Sequence, residues 1–283
     1  MIVKKLIAEL ASRGVHVAVQ GDKLRVRAPE GAITTELRAT MSEQRDALFA
    51  YLSDGDHDEP YLLASGQRRL WVLERLRPGE PTYNVMAGFR LEGRLDVAAL
   101  KASFAQIVSR HGAFRTRFEE IDGEPIAFVS PKGRVDLRVV EILGVPRSER
   151  DAMARRHMAA EGREPFDLVA GRVARATLFR FAEDDHVFVV VQHHIVTDGF
   201  SLGVIAQELA SLYKDGSAPA PAMQYADYAH REAAWLRGDA AEAKRAYWRK
   251  QLEKLPALQL PTGARGLERD ASTETSILFQ LPK

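Results

Sequence analysis

Hydrophobic residues near the N-terminus recur at helical spacing: Ile2, Val3, Leu6, Ile7 and Leu10. Gly14 then ends the predicted helix, because glycine readily adopts the left-handed conformation that closes a helix. Two segments with alternating apolar and polar residues follow at 15–19 and 23–27, on either side of Gln20-Gly21-Asp22. This arrangement predicts a β-hairpin with a glycine-containing turn.

Polar residues before the next apolar positions predict two short helices, so the N-terminal elements run α, β, β, α, α. Thr34 or Thr35 is the candidate N-cap of the first helix, and Ser42 that of the second. The acidic segment 53–60, which ends in proline, has the composition of a linker. We therefore predict three regions: a domain over 1–55, a linker over 56–60 and a larger domain over 61–283.

Beyond Tyr61, strand and helix patterns alternate. The predicted strands cover residues 88–95, 114–119, 126–130, 173–181 and 186–194. Asp96 caps a helix, a second helix covers 147–160 and a third covers 201–216. Asp122-Gly123 turns one pair of strands into a hairpin. The larger domain is therefore predicted to be α/β (α+β), with a mixed or antiparallel sheet and flanking helices.

Composition limits the function classes. The chain of 283 residues has 40 basic and 39 acidic side chains, and its formal charge of +1 gives no field that would favour nucleic acid or an anionic membrane. It has no cysteine, which excludes disulfides, zinc–thiolate sites and a cysteine nucleophile. Charges at Lys4, Lys5 and Glu9 interrupt the N-terminus, so it resembles neither a signal peptide nor a membrane span. We expect a cytoplasmic protein.

A strongly apolar run, 187–191, leads into two adjacent histidines. Its β-branched and aromatic residues predict a buried strand, and neighbouring side chains on a strand point to opposite faces. His193 and His194 therefore cannot easily meet one reactant or one metal, and we expect one to be chemical and the other structural. Asp198-Gly199 turns the chain just beyond them. A histidine at a strand end before a turn lies where a cleft forms, and the pattern indicates an acyl-transfer site.

Four segments carry a family resemblance, in a fixed order along the chain. They are 67–73, 110–118, 192–201 with its histidine pair and Asp-Gly, and 224–229. Together they resemble the motifs of the condensation domains of nonribosomal peptide synthetases, whose fold is similar to chloramphenicol acetyltransferase. The chain departs from the pattern at three positions, because Ala64, Gly112 and Gln192 stand where the family commonly has Ser, Glu and Met. None of these changes removes a catalytic side chain.

The resemblance implies a reaction and a role for each residue of the site. The amine of an aminoacyl thioester would attack an acyl or peptidyl thioester, with both substrates carried on the phosphopantetheine arms of partner carrier domains. His194 matches the catalytic position, where it either removes the amine proton or holds the amine and stabilises the intermediate. His193 would brace the strand, and Gly199 would permit a tight turn and offer its amide to the substrate. Asp198 would form an ion pair with Arg115.

The N-terminal domain resembles the β-hairpin (TubC-type) docking domains of hybrid peptide and polyketide synthetases, which capture the C-terminal tail of the preceding synthase. Its second strand has a basic edge, formed by Lys23, Leu24, Arg25, Val26 and Arg27. An open edge accepts another strand, and the positive charges favour an acidic peptide from an upstream synthase. The other interpretation is that lysine and arginine only protect this edge against aggregation.

The resemblance also limits what this chain is expected to do alone. The family's complete domain has two similar lobes and is much longer than residues 61–283, so we expect only the first lobe here, with weak or no activity. We expect no metal, because no residue spacing suits one, and no directly bound cofactor. Two alternatives remain open: a docking module without turnover, and a relative of the epimerization or free-standing acyltransferase type.

Overall fold

The computed structural model describes residues 2–29, 31–54, 57–133 and 135–256. The N-terminal elements are α1 Ile2–Ser12, β1 His16–Gln20, β2 Lys23–Arg27, α2 Thr35–Glu43 and α3 Arg45–Ser53, in the predicted order. Gly14 closes α1 with a φ of 70°, and the amide of Val15 donates to the carbonyl of Leu10 at 2.8 Å. A small buried core joins these elements: Leu6, Ile7, Leu10, Val15, Leu37 and Leu48.

The two helices that follow the hairpin begin in different ways. Thr34 caps α2 as predicted, because its hydroxyl accepts the amide of Leu37 at 3.2 Å. The predicted cap at Ser42 is wrong, because α2 continues through this residue to Glu43. The carbonyl of Ser42 accepts the amide of Gln44, and α3 begins directly after Gln44 without a side-chain cap. A backbone turn shared by the two helices thus replaces the expected serine cap.

The remaining strands are β3 Glu59–Leu62, β4 Asn84–Glu92, β5 Thr116–Ile121, β6 Glu124–Val129, β7 Leu137–Glu141, β8 Ala174–Ala182 and β9 Asp185–His193. The remaining helices are α4 Ser65–Leu76, α5 Val97–Arg110, α6 Arg147–Arg163, α7 Gly199–Asp215, α8 Tyr225–Leu236 and α9 Asp239–Leu252. β3 starts inside the predicted linker of 56–60, and the division of the chain into domains stays a prediction. Among the helices that the structure describes, none combines the length and apolar composition that a membrane crossing requires.

The strands after β2 form two sheets. One has the order β3-β6-β5 and is antiparallel. The other has the order β4-β9-β8-β7, in which β7 and β8 run parallel and the other neighbours run antiparallel. Asp122 and Gly123, with φ values of 52° and 84°, supply the left-handed pair that a two-residue hairpin between β5 and β6 needs. A mixed sheet with flanking helices confirms the α/β (α+β) prediction.

The N-terminal elements pack against the first of these sheets. Ala8 of α1 is 2% exposed and lies against apolar side chains of β6. Lys5 forms an ion pair of 3.1 Å with Asp122 in the β5–β6 turn. The chain up to Trp235 is therefore one compact unit. The described residues from Leu236 to 256 belong to a second unit, which contains α9.

Strand β9 is buried over its whole length and separates two hydrophobic cores. The alternate residues Val187, Val189 and Val191 belong to one core, which also contains Trp71, Phe118 and Phe179. Phe188 and Val190 belong to the other core, which also contains Phe104, Phe114 and Ile205. Because β9 is covered on both faces, it holds the histidines at its end in fixed positions.

Candidate active site

His193 is the buried member of the histidine pair, with 2% of its surface exposed. Its ring lies against the rings of Tyr83 and Phe166, at centroid distances of 6.2 Å and 6.4 Å. Nδ1 accepts the amide of Ile195 at 3.1 Å, so the proton of the neutral ring is on Nε2. Burial, and after it the charge of His194, lower the pKa of His193 to about 4. The ring is therefore neutral near pH 7, and its contacts brace the strand end.

His194 lies just beyond β9, and its side chain is exposed. Its amide donates to the carbonyl of Tyr83 at 2.8 Å. Nδ1 lies 2.8 Å from the carbonyl oxygen of Thr197, and a carbonyl only accepts hydrogen bonds. In the neutral ring Nδ1 therefore carries the proton, and Nε2 keeps its lone pair. A neutral imidazole in this tautomer is suited to general-base chemistry at Nε2.

Asp198 is the N-cap of α7. Its Oδ1 accepts the backbone amide of Ser201 at 2.8 Å and the hydroxyl of Ser201 at 2.7 Å. These hydrogen bonds, more than the charge of His194, hold the pKa of Asp198 below its usual value. The predicted ion pair with Arg115 is wrong, because that guanidinium donates instead to the carbonyls of Val108 and Ser130. The carboxylate of Asp198 instead accepts its hydrogen bonds from Ser201 in the first turn of α7, which is close to it in the chain.

Gly199 is the first residue of α7, and its φ is not positive. A Cβ added at this position would meet no atom within 4 Å. Glycine is therefore compatible with the predicted turn, but the backbone does not require it here, because the Asp198 cap leads the chain into the helix. The space next to the Cα of Gly199, at the start of α7, is therefore open. Contact of its amide with a substrate stays a prediction.

Gln67 is a positioning residue to which the sequence analysis gave no role. It is 2% exposed, and its Nε2 donates to the carbonyl of Ile195 and to the hydroxyl of Tyr61, both at 3.1 Å. Its Oε1 accepts the amide of Ala64 at 3.3 Å, where the alanine has no hydroxyl to cap α4. One buried amide thus fixes α4 to the segment that follows the histidines. The only signal in the sequence was its place in the motif at 67–73.

Two polar side chains hold the second motif in place, one from the fourth motif and one from α7. The amide of Gln224 accepts from the backbone of Gly112 at 3.0 Å and donates to the carbonyl of Arg110 at 2.9 Å. Glu208 of α7 binds Nε of Arg110 and Nε2 of His111, each at 3.0 Å. A Cβ at Gly112 would lie 3.1 Å from a Val129 methyl and 3.4 Å from the oxygen of Gln224. The chain therefore has little room for the glutamate that the family commonly carries at this position.

A groove of about 710 Å³ lies between α7 and residues 218–225. Gln192 and Asp198, which lie on either side of His194 in the sequence, line the groove, whereas His194 is not among the residues that line it. Its other lining residues include Phe114, Val196, Phe200, Val204, Met223 and Tyr225. Burial raises the pKa of Tyr225 to about 12, so its hydroxyl stays protonated at neutral pH. Among the described residues, no group of three or more His, Cys, Asp or Glu could hold a metal ion.

The predicted docking residues lie on β2, and no described hydrogen bond or ion pair joins them to His194. In the described part of the chain β2 pairs only with β1, so its other edge is open. Lys23, Arg25 and Val26 are exposed, whereas Leu24 packs against the N-terminal core. The side chain of Arg27 lies outside the described part of the structure. The open edge is therefore accompanied by at least two exposed positive charges.

Two family models match the chain. The condensation domain model matches residues 57–283, and the TubC N-terminal docking domain model matches residues 3–54. One linear gramicidin synthase protein of Brevibacillus parabrevis is 39% identical over 207 residues, which cover 71% of this chain. A second linear gramicidin synthase protein of the same organism is 35% identical over 237 residues, which cover 81% of this chain. The chain spans 4% and 3% of the lengths of these two relatives.

Solved structures with the same fold agree with these matches. The structure described for condensation domain-mediated chain release from the enacyloxin polyketide synthase is 28% identical, with a TM-score of 0.61. It covers 90% of this chain, which in turn spans 53% of that structure. The EpoB NRPS cyclization-docking bidomain from Sorangium cellulosum is 23% identical, with a TM-score of 0.59 and the same coverages of 90% and 53%. This second likeness concerns the fold alone.

The helix cap at Asp198 leads to a prediction about two substitutions. Asp198→Asn keeps an oxygen acceptor at the N-cap, whereas Asp198→Ala removes it and leaves the Ser201 amide without this partner. We expect Asp198→Ala to lower the free energy of unfolding by about 1 kcal/mol, and Asp198→Asn by only a few tenths. Chemical denaturation followed by circular dichroism measures both, with Asp215→Ala at the exposed end of α7 as the control. Equal losses for the two Asp198 variants would point to an ion pair instead of a cap.

The buried imidazole of His193 leads to a prediction about pH. The pKa of His193 is about 4 in the folded chain, whereas the ordinary pKa of histidine is 6.5. Between pH 4 and pH 6.5 the unfolded chain therefore binds a proton at this residue that the folded chain does not. Its contribution to stability is therefore complete above pH 6.5 and falls by about 3 kcal/mol as the pH drops to 4. Denaturation at a series of pH values should show a steeper loss for the parent chain than for His193→Gln. Parallel curves for the two proteins would contradict the low pKa.

Proposed function

Because this chain belongs to the condensation-domain family, we propose that it forms amide bonds in nonribosomal or hybrid polyketide–peptide synthesis. The donor is an acyl or peptidyl thioester and the acceptor an aminoacyl thioester, each carried on the phosphopantetheine arm of a partner carrier domain. No cofactor binds the chain directly in this proposal. The observation that supports it best is the exposed His194, whose Nδ1–H is held by the Thr197 carbonyl so that Nε2 is available as a base.

His194 supplies the proton transfer that this reaction requires. The neutral amine attacks the thioester carbonyl carbon, so that a C–N bond forms and a tetrahedral intermediate results. Nε2 takes the proton that leaves the nitrogen, and the proton then passes to the sulfur as the C–S bond breaks. The Thr197 carbonyl stabilises the imidazolium that exists between these steps through the Nδ1–H hydrogen bond.

The proposal concerns the full-length gene product. The chain spans 53% of the two solved relatives, whereas its condensation match covers only residues 57–283. A substrate channel built from more residues than these would be incomplete in this chain. We therefore expect residues 1–283 alone to transfer little or no acyl group.

The N-terminal elements support a second role in the same synthesis, the capture of an upstream synthase. The open edge of β2 offers backbone groups for strand addition, and the exposed Lys23 and Arg25 favour an acidic C-terminal tail. Docking without turnover is the alternative function of this chain, and the same open edge is the observation that favours it.

The catalytic role of His194 is tested by transfer between loaded carrier proteins. Intact-mass spectrometry follows the acyl group from donor to acceptor carrier, using the full-length gene product, its His194→Ala variant and residues 1–283. We expect His194→Ala to lower the rate by about 100-fold to 10,000-fold, because a positioned general base contributes this much. Lys214→Ala, an exposed change near the other end of α7, is the control. Unchanged transfer by His194→Ala would refute the proposed role.

The docking role is tested by peptide binding. A fluorescent peptide of alternating Asp and Val residues is titrated with the parent protein and with Lys23→Glu and Arg25→Glu. We expect each charge reversal to weaken binding by about tenfold at low salt, with a smaller effect at high salt. Arg38→Glu, an exposed change on α2, is the matched control. Equal affinities of the four proteins for the peptide would contradict the docking role. Lys23 and Arg25 would then only protect the strand edge against aggregation.

A further inference from the structure

Gln192 has a buried amide group whose oxygen has no partner. The residue is 1% exposed and is the last residue of β9 before the histidine pair. Its Oε1 has no hydrogen-bond partner in the part of the chain that the structure describes. Folded proteins rarely leave such a group unpaired, because removing it from water without a replacement hydrogen bond is unfavourable. The oxygen is therefore an unused acceptor that is also shielded from solvent, and a ligand's donor reaches it only when the side chain turns toward the groove.

The position of Gln192 places this amide at the groove between α7 and residues 218–225. By strand alternation its side chain points to the same face as Phe188 and Val190, which pack in the core that contains Phe114 and Ile205. Phe114 and Ile205 also line the groove, as Gln192 itself does. Next to Gln192 the groove wall thus includes the apolar side chains of Phe114 and Ile205, and polar residues such as Ser201 and Glu208 line other parts of it.

Several apolar side chains in the outer part of the groove are exposed. Phe200 is 90% exposed, Val204 45%, Met223 44% and Tyr225 38%. Exposed aromatic and aliphatic side chains that line one groove favour the binding of an apolar ligand there. An apolar cavity with a small number of placed polar groups is the usual form of a small-molecule site.

We propose that this groove binds the acyl part of a substrate and that Gln192 selects substrates carrying a hydrogen-bond donor. The apolar wall holds the carbon chain, and Oε1 of Gln192 accepts a hydrogen bond from a hydroxyl or an amide N–H on that chain. The inference rests on the proposed function, since it assigns a specificity-determining residue to the same reaction. A thioether or alkyl side chain at position 192 would lack this amide oxygen.

The test compares substrates that differ only in the donor. The full-length gene product is given pantetheine thioesters in two matched pairs: 3-hydroxybutanoyl against 3-methylbutanoyl, and N-acetylglycyl against acetoxyacetyl. We expect kcat/KM to favour the donor-bearing member of at least one pair by about tenfold or more, because its absence leaves the buried oxygen unpaired. In Gln192→Met this ratio should fall to about one. Gln106→Met, an exposed change on α5, should keep the parent's ratio.

Binding of the same four thioesters is measured by saturation-transfer NMR. This measurement tests the selectivity of Gln192 separately from the condensation reaction. A donor preference in binding that Gln192→Met removes supports the inference even if no amide product forms, in which case the proposed reaction fails alone. Equal turnover and equal binding within both pairs would overturn the inference and leave the condensation reaction untouched. A Gln192→Met protein with a higher free energy of unfolding and an unchanged ratio would also overturn it, because the amide would then be only a buried polar group.

Discussion

The burial of β9 on both faces is the constraint on which the rest of the site depends. A pleated strand directs successive side chains to opposite sides, and here each side is filled by its own hydrophobic core. Of two adjacent histidines, His193 is consequently enclosed and neutral, whereas His194 leaves the strand and reaches solvent. The two histidines thus differ in burial because they occupy adjacent positions at the end of the strand.

Elements with a local signal could be predicted from the sequence. Helix α1 with Gly14, the Asp96 cap of α5 and the closure of α7 at Gly216 each depend on residues within a few positions of one another. The short strands β3 and β7 were missed, because their stability comes from pairing with β6 and β8, which lie far away in the chain. A strand of four or five residues has too short a pattern to be recognised without its partner.

In the candidate site too, the proximity of sequence neighbours could be predicted, whereas contacts between distant residues could not. His193, His194, Asp198 and Gly199 come together because they are neighbours in the chain, so their proximity required no knowledge of the fold. Arg115 was expected to form an ion pair with Asp198. Its guanidinium instead donates to the carbonyls of Val108 and Ser130, and the carboxylate of Asp198 accepts from Ser201. Gln67 was passed over for the converse reason, since its bond to Ile195 spans a large separation in sequence. The sequence pattern thus predicted neither the nearer partners of Arg115 and Asp198 nor the distant partner of Gln67.

The hydrogen bond between His194 and Thr197 has an evolutionary consequence. Because the carbonyl that orients the imidazole lies three residues away in the same loop, the aim of Nε2 does not depend on side chains elsewhere in the groove. Substitutions at Val204, Met223 or Tyr225 therefore leave the contact that orients the imidazole in place. In the proposed reaction, substrate choice and proton transfer therefore depend on different residues, so groove residues can change while the contact that orients the imidazole stays the same.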